Sequence, residues 1–549
     1  MKAALRRALL LALAAALFLL SWFFRYNEPE GGFAGLLDDH FFYVVRGWQM
    51  LYGEWPDRDF VDIGAPLMYA ISAAAQGWIG RGTLSEIVVC VTALSLAAAL
   101  SFYAAARASG SMLAALCATL FQIALLPRFY NYPKLLAYAL AIPATWALVD
   151  RPSWTRRALL AAITVLALLL RHDHGVFVAF YVTATILFLP WPAVERVREV
   201  VRYVATALLF AVPYLVYLQL NGGIVTHFIV ANAWSMRDRA RAPLVWPATP
   251  NLTTWLFYLL IAMPFIALAL LAWSRDAWRP QWAYARGKIA AVALLAIALN
   301  VGFLRGALAA RLADVAVPQT ILIAWVLTVA AALLVRGRVE RSDGARPLAP
   351  IVRIAVSVPL FVLFAFTFAW LARSVAPVAR AAHLSPDPGT VIGRAQEITG
   401  RLRETWPLDR WASPDANGPM RLAYYFDACT QPTDRVFISQ YLPQVAALAR
   451  RPFAGGHPDL RPGFFATDRD QQLFIDRMQR QHVPVLIVPS SSDYNGFETE
   501  FPLVAQYFSR EYEMLGDRDI GDGLRVGVAV RRGARPTSRY EPLDLPCFR

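Results

Sequence analysis

The residues most able to do chemistry lie early in the chain, in the stretch 36–67, LLDDHFFYVVRGWQMLYGEWPDRDFVDIGAPL. Asp38, Asp39, Glu54, Asp57, Asp59 and Asp62 crowd a segment that also holds Phe41, Phe42, Tyr43, Trp48, Tyr52 and Trp55. Carboxylates can take a proton from an attacking hydroxyl, and acids interleaved with aromatics suit a site at a membrane–water boundary. Asp39, Tyr43, Arg46 and Met50 recur at helical spacing, which predicts a helix with a carboxylate, a phenol and a guanidinium on one face. The rival reading of the same composition is an acidic loop that avoids lipid, flanked by an aromatic belt.

Three further polar groups break the apolar pattern elsewhere. Arg128-Phe-Tyr-Asn-Tyr132-Pro-Lys134 ends one apolar run, and lysine occurs only at positions 2, 134 and 288, so Lys134 stands out where arginine is the habit. Arg171-His172-Asp173-His174-Gly175 interrupts an otherwise continuous apolar stretch from 158 to 191. Polar heads at such a position are costly unless they reach water or line a cavity, which favours a functional reading. His172 and His174 could instead ligate a divalent metal with Asp173 or Asp62, although two histidines make a weak metal signature. In Arg305-Gly-Ala-Leu-Ala-Ala-Arg311-Leu-Ala-Asp314, Arg311 and Asp314 are one helical turn apart and suit each other as an ion pair. That leaves Arg305 as the better candidate for a phosphate, whose oxygens match a guanidinium. The plainer readings are an interfacial lysine at 134 and an arginine at 305 reaching for lipid headgroups.

The elements that must position these groups are hydrophobic helices. The 549 residues are 57% hydrophobic and 17% charged, with a mean hydropathy of +0.42, whereas soluble domains carry about 25% charged residues. Crossings are expected over the N-terminal run to Phe24, then near 84–106, 111–127, 135–149, 158–171, 175–191, 203–220, 253–273, 288–304, 319–335 and 350–371. The expected count is about eleven, with 12 or 13 as the upper range. The excess of 53 Lys+Arg over 39 Asp+Glu would point to nucleic acid in a soluble chain. Here it sits largely in short loops between apolar runs (Arg156, Arg157, Arg196, Arg198, Arg202, Arg336, Arg338, Arg341), as the positive-inside rule requires, so a nucleic-acid partner is set aside.

Placing those basic loops inside puts residues 25–63 and the tail outside, and all four polar motifs then face outward. By the same parity the segment 66–79 is a half-span or re-entrant piece. The organisation expected is a membrane module over 1–374, with residues 25–63 as its first external loop, and a soluble α/β domain over 375–549. In that tail, β-like runs at 436–438, 485–488 and 526–530 alternate with helical patterns near 440–451, 467–481 and 498–515. Thr467-Asp468 reads as a helix start and SPDPGT at 384–389 as a turn. His457 and His482 read as isolated and solvated. Cys429 and Cys547 suit a disulfide if the tail lies in an oxidising compartment, while Cys90 and Cys117 sit in apolar runs.

The order Asp39-x-x-x-Tyr43, then Gly53-x-x-Pro56-x-x-Asp59-Phe60 and Gly64-Ala65-Pro66-Leu67, resembles the first external loop of the GT-C superfamily of membrane glycosyltransferases. Protein mannosyltransferases, the lipid A aminoarabinose transferase and arabinofuranosyltransferases belong to it. The resemblance covers the membrane half and is specific in this loop. It implies a sugar donor on a polyprenyl phosphate, an acidic residue at the loop start acting on the acceptor hydroxyl, and inversion at the anomeric carbon. Asp39 matches that acid, with Asp38 beside it; the family often shows Asp-Glu where this chain has Asp39-His40, which leaves open which neighbouring acid matters.

The expectation is therefore a glycosyltransferase of a bacterial inner membrane with a periplasmic tail, moving a sugar to a glycan, lipid or protein acceptor. Asp39 is the base, with Asp38 and Asp59 as acidic neighbours. Lys134, Arg171, Arg305, Arg311 and Arg46 are the donor-phosphate candidates, with Tyr43, Asp62, Tyr132, His172, Asp173 and His174 in the surrounding site. No cofactor is assigned with certainty, and a divalent metal is a candidate. The rivals are a lipid-linked glycan ligase or polymerase, a transporter, and a non-catalytic envelope-assembly subunit. A transporter would need internal repeats and midplane polar groups; no repeat is seen, and the polar groups cluster at helix ends.

Overall fold

The computed structural model describes residues 2–27, 38–240, 246–273, 280–305, 309–336, 350–381, 387–404, 418–461, 463–521 and 523–549. The chain forms a multi-pass helical membrane protein with a small sheet domain near its C-terminus. It separates into two compact units, neither of them one stretch: Met1–Gly35, Cys90–Leu215 and Arg239–Ala395 form the first, and Leu36–Val89, Val216–Asp238 and Gln396–Arg549 the second.

The membrane helices dominate the first unit. Among the described residues eight helices are long and apolar enough to cross a bilayer: Ala4–Tyr26, Thr83–Ser109, Phe129–Asp150, Ala193–Leu220, Leu252–Trp273, Ala285–Leu304, Ala313–Leu334 and Ile351–Arg380. The other three expected crossings fall on shorter helices, Met112–Ala124, Trp154–Leu170 and His172–Leu187. The last two are separated only by Arg171, whose extended backbone (φ −163°, ψ 129°) ends one helix and begins the next. At Gly175 the second helix presses on the first: a Cβ there would lie 2.6 Å from Leu168 Cα, so only glycine fits the approach.

Prolines inside these helices remove backbone donors, and in hydrocarbon each freed carbonyl needs another partner. Pro264 cannot bond the carbonyl of Leu260 one turn earlier. Two amides from neighbouring helices do so instead, Asn300 Nδ2 at 2.9 Å and Gln319 Nε2 at 2.7 Å. Serine and threonine side chains elsewhere bond back to the carbonyl four residues before, as Thr119, Thr145 and Thr185 do. The buried pair Arg157–Glu199 is joined by two 2.8 Å hydrogen bonds, which keeps both charges satisfied where solvent is scarce.

In the second unit, Asp38–Leu51 packs against Pro66–Ile79. The latter is 14 residues, about 21 Å at 1.5 Å per residue, and so too short to cross a hydrocarbon core of about 30 Å. The tail builds a four-stranded sheet from β1 (Phe437–Ile438), β2 (Val485–Pro489), β3 (Tyr512–Gly521) and β4 (Leu524–Arg531), in the order β1-β2-β4-β3. β1 and β2 are parallel with Phe437 opposite Leu486, while β4 runs antiparallel to both its neighbours, with Ile487 opposite Val528. Phe437, Phe474, Phe497 and Phe508 pack as the aromatic centre of its core. A second, two-stranded piece pairs β5 (Ser538–Tyr540) with β6 (Leu545–Cys547), and a disulfide joins Cys429 to Cys547.

Two expectations for the tail change. The helical pattern near 498–515 divides into Tyr494–Glu500 and Pro502–Glu511, and the chain then turns into β3 at Tyr512. The residues of β3, YEMLGDRDIG, have little strand propensity of their own; pairing with β4 makes them a strand. The 384–389 turn falls partly outside the described residues, and its Asp387 caps a helix instead, Pro388–Glu404, accepting from the Gly389 amide.

Replacing Gln319 by Leu should lower the thermal midpoint in detergent by a few degrees, corresponding to about 1 kcal/mol. Adding Asn300→Leu should cost more than the two single changes summed, because the Leu260 carbonyl then faces no donor. Strict additivity by scanning fluorimetry would contradict this account.

Candidate functional site

Four pieces of the second unit converge: the helix Asp38–Leu51, the turn that follows it, and two loops of the tail. The helix presents its first turn to the tail, where the half-buried Asp39 accepts a hydrogen bond from the Tyr441 hydroxyl, 2.8 Å from Oδ1. One turn on, Tyr43 stacks on Tyr69 at 6.2 Å. Arg46 is 1% exposed; its guanidinium lies 3.7 Å from the Phe42 ring centre and donates to the carbonyls of Phe42 and Val61. Arg46 therefore holds the helix to the returning chain. The Asp38 side chain lies outside what the structure describes.

The turn after the helix is held by its own acids. Asp59 accepts from the Trp55 amide at 2.8 Å and from Arg58 Nε at 2.7 Å. Asp62 is 1% exposed and uses Oδ1 to receive the Gly64 and Ala65 amides and the Tyr69 hydroxyl, which fixes the entry to Pro66–Ile79. Asp57 adopts a left-handed backbone (φ 61°), a conformation that Asp tolerates better than most residues, and so turns its carboxylate inward.

That inward carboxylate meets a residue the sequence reading did not single out. His227, on Ile224–Ala240, places Nδ1 2.8 Å from Asp57 Oδ1. Asp57, Asp62 and His227 each offer a ligand atom within 4.8 Å of the others, and this is the one such trio among the described residues. Oδ2 of Asp57 and Oδ2 of Asp62 are both buried with no hydrogen-bond partner among the described residues, as a cation site would require. Two carboxylates and an imidazole match zinc or manganese in donor type. Burial, with the charge of Asp62, raises the Asp57 pKa against the opposing pull of His227; burial works against the His227 imidazolium, but the hydrogen bond and charge of Asp57 outweigh it and raise its pKa.

The trio opens into a cavity of about 130 Å³ whose far wall is the tail, with His457, Arg469 and Arg477 on it. His457, expected to be solvated, is 4% exposed, its ring centre lies 4.6 Å from that of Phe465 at a tilted angle, and burial with Arg477 and Arg46 nearby keeps it neutral. His482 is exposed as expected, bonded to Asp434. The tail reaches this wall through a tight contact: the Gly456 carbonyl accepts from the Val61 amide at 3.1 Å, and a Cβ on Gly456 would lie 2.8 Å from the Asp59 carbonyl.

The remaining candidates belong to the first unit. Lys134 binds Asp314 at 2.5 Å, and Asn131 binds the other oxygen of the same carboxylate at 2.9 Å. The expected Arg311–Asp314 pair is thereby replaced: the helix carrying Arg311 ends at Leu312, and Asp314 lies in the 3-10 turn Ala313–Val315, so no continuous helical face joins them. Arg171 grips Asp173 with contacts of 3.2 and 2.9 Å, and Lys134 is near enough to both to feel their charges. In the histidine pair, His174 Nδ1 meets the Tyr138 hydroxyl at 2.6 Å with Nε2 3.8 Å from Asp173, and His172 Nε2 faces Tyr214 at 3.4 Å. Tyr132, two residues before Lys134, is buried, and the Arg305 side chain lies outside what the structure describes.

No family model matches the chain, and no curated protein matches it. Among solved structures it is similar to the crystal structure of ArnT from Cupriavidus metallidurans bound to undecaprenyl phosphate, at 15% identity and a TM-score of 0.48, over 96% of this chain and 98% of that one.

Zinc or manganese should raise the thermal midpoint of the purified protein, and His227→Gln or Asp57→Asn should abolish that rise. Both pKa values are raised, so Asp57 and His227 bind protons more tightly in the folded protein than in the unfolded chain. Metal-free stability should thus fall as pH rises through the folded values, while the metal-induced rise grows, since ligation needs the deprotonated forms. A metal effect that is unchanged in both variants would refute the site.

Proposed function

We propose that this protein is a membrane glycosyltransferase that moves a sugar from a polyprenyl-phosphate donor to an acceptor hydroxyl, with inversion, on the outer face of a bacterial inner membrane. The observation that carries the reading is Asp39: a half-buried carboxylate at the start of the loop helix, in the position where the GT-C-like motif puts its acid, held by a donor from the tail. The donor and the stereochemistry rest on the resemblance of this loop.

The chemistry is a single displacement. The acceptor oxygen attacks the anomeric carbon, the bond from that carbon to the phosphate oxygen breaks, and polyprenyl phosphate leaves with the bonding pair while Asp39 takes the hydroxyl proton. A leaving phosphate gains negative charge and needs cations placed beforehand. Lys134 and Arg171 are the candidates in the first unit, with Arg305 as the third. Lys134 and Arg171 already stand beside Asp314 and Asp173, so an arriving phosphate would share them with fixed carboxylates. A cation in the Asp57–Asp62–His227 trio is the alternative source of positive charge, favoured by the two carboxylate oxygens there that have no partner among the described residues. The tail wall of the cavity is then the natural place for acceptor contacts.

The test is a panel of radiolabelled undecaprenyl-phosphate pentoses and hexoses, presented in proteoliposomes, with release of undecaprenyl phosphate as the signal. Asp39→Asn should lower turnover by about a hundredfold or more while the protein stays folded in the membrane. Full activity in that variant would remove Asp39 as the base, and no turnover of any donor would remove the reading.

A further inference from the structure

We infer that Tyr441, a residue of the tail, is a positioning residue for the transfer: its hydroxyl sets the orientation of the Asp39 carboxylate. This deepens the proposed function and rests on Asp39 being the base.

A carboxylate on a short side chain turns easily, because the final torsion of Asp is broad rather than three-welled. A single rigid donor can select one orientation, and Tyr441 is built to be rigid. Its ring lies 5.8 Å from that of Phe42 on the loop helix, and the Arg461 guanidinium sits 4.2 Å from its centre on the tail side. Arg461 is in turn held by Asp459 at 2.5 Å, and Asp459 is buried at 3% exposure. The phenol therefore has an aromatic contact, a cation and a hydrogen-bonded anchor behind that cation, all fixing where Oη can be. From there it donates to Asp39 Oδ1 at 2.8 Å.

The direction of that bond is also settled. Burial, together with the negative charge of Asp39, raises the Tyr441 pKa far above the ordinary phenol value, so the proton stays on Tyr441. The phenol thus donates and does not compete with Asp39 as a base. Its contribution is geometric: it presents a carboxylate oxygen to an incoming hydroxyl in one direction, which matters because a displacement of about 1 Å at a reacting group can cost about a hundredfold in rate.

This gives the tail a part in the chemical step, distinct from binding the acceptor. The deciding variant is Tyr441→Phe, which removes one oxygen and keeps the ring on Phe42 and Arg461, so the fold should persist with an unchanged thermal midpoint. With the undecaprenyl-phosphate sugar that the wild type turns over fastest, kcat should fall about tenfold or more while KM for the donor stays within about twofold. In an Asp39→Asn background the same change should cost nothing further, since the carboxylate it orients is gone. Arg461→Gln, which loosens the ring without touching the hydroxyl, should give a smaller loss of kcat. A Tyr441→Phe enzyme with wild-type kcat, or one changed only in KM, overturns the inference while leaving Asp39 as the base if Asp39→Asn is dead. An active Asp39→Asn enzyme overturns both.

Discussion

The second unit depends on one side-chain amide. Gln49 donates from Nε2 to the Phe453 carbonyl and accepts at Oε1 from the Phe453 amide, each at 3.2 Å, so a glutamine of the loop helix occupies the place of a neighbouring strand. Around it, Arg435 bonds the same Phe453 carbonyl at 3.1 Å and pairs with Glu54, and Glu54 takes the second Gln49 hydrogen at 2.6 Å. A buried backbone group left without a partner costs about 1–3 kcal/mol, and this closed network leaves none at Phe453. The turn carrying Asp57, Asp59 and Asp62 follows directly from the end of this helix, so the cavity wall and the Tyr441–Asp39 contact both inherit their register from that pairing.

The first unit applies the same rule with charges. Three cations near helix ends are found against carboxylates: Lys134 against Asp314, Arg171 against Asp173, Arg157 against Glu199. Such pairs are affordable next to hydrocarbon because each ion satisfies the other. They also keep cations in place near the ends of helices, where a phosphate headgroup would be met. The proline at 264 shows the same economy with neutral groups, since its orphaned carbonyl is met by two amides rather than by solvent.

Much of this was legible in the sequence, because the signals were long or local. Apolar runs located all eight of the described helices that are long and apolar enough to cross a bilayer, and alternating β-rich runs located three of the four strands of the main sheet. Asp39 and its helical neighbours were visible as a spacing. What was hidden depended on distant pairing. His227 sits in a helix of low amphipathicity and became notable only because it closes on Asp57, 170 residues away. Tyr441 lies in the expected 440–451 helical pattern with no role assigned to it, and its partner Asp39 is 402 residues distant. Strand β3 lacked strand propensity, and the Arg311–Asp314 pair seemed right by spacing until a 3-10 turn broke the helix between them. In Asp59, a carboxylate that reads as an active-site neighbour proves to be holding its own turn, with the Trp55 amide and Arg58 as its partners.

The interleaving of the second unit bears on how such a protein can change. Its tail has a sheet, a core and a disulfide of its own, the attributes of a portable module, yet Phe453, Arg435 and Gly456 find partners in a loop nearly four hundred residues earlier. A tail exchanged for that of another protein would arrive without Gln49, Glu54 and Val61 to receive it. Loop and tail are thus bound to be inherited together, and sequence drift in either should be matched by drift in the other, even where the membrane helices between them vary freely.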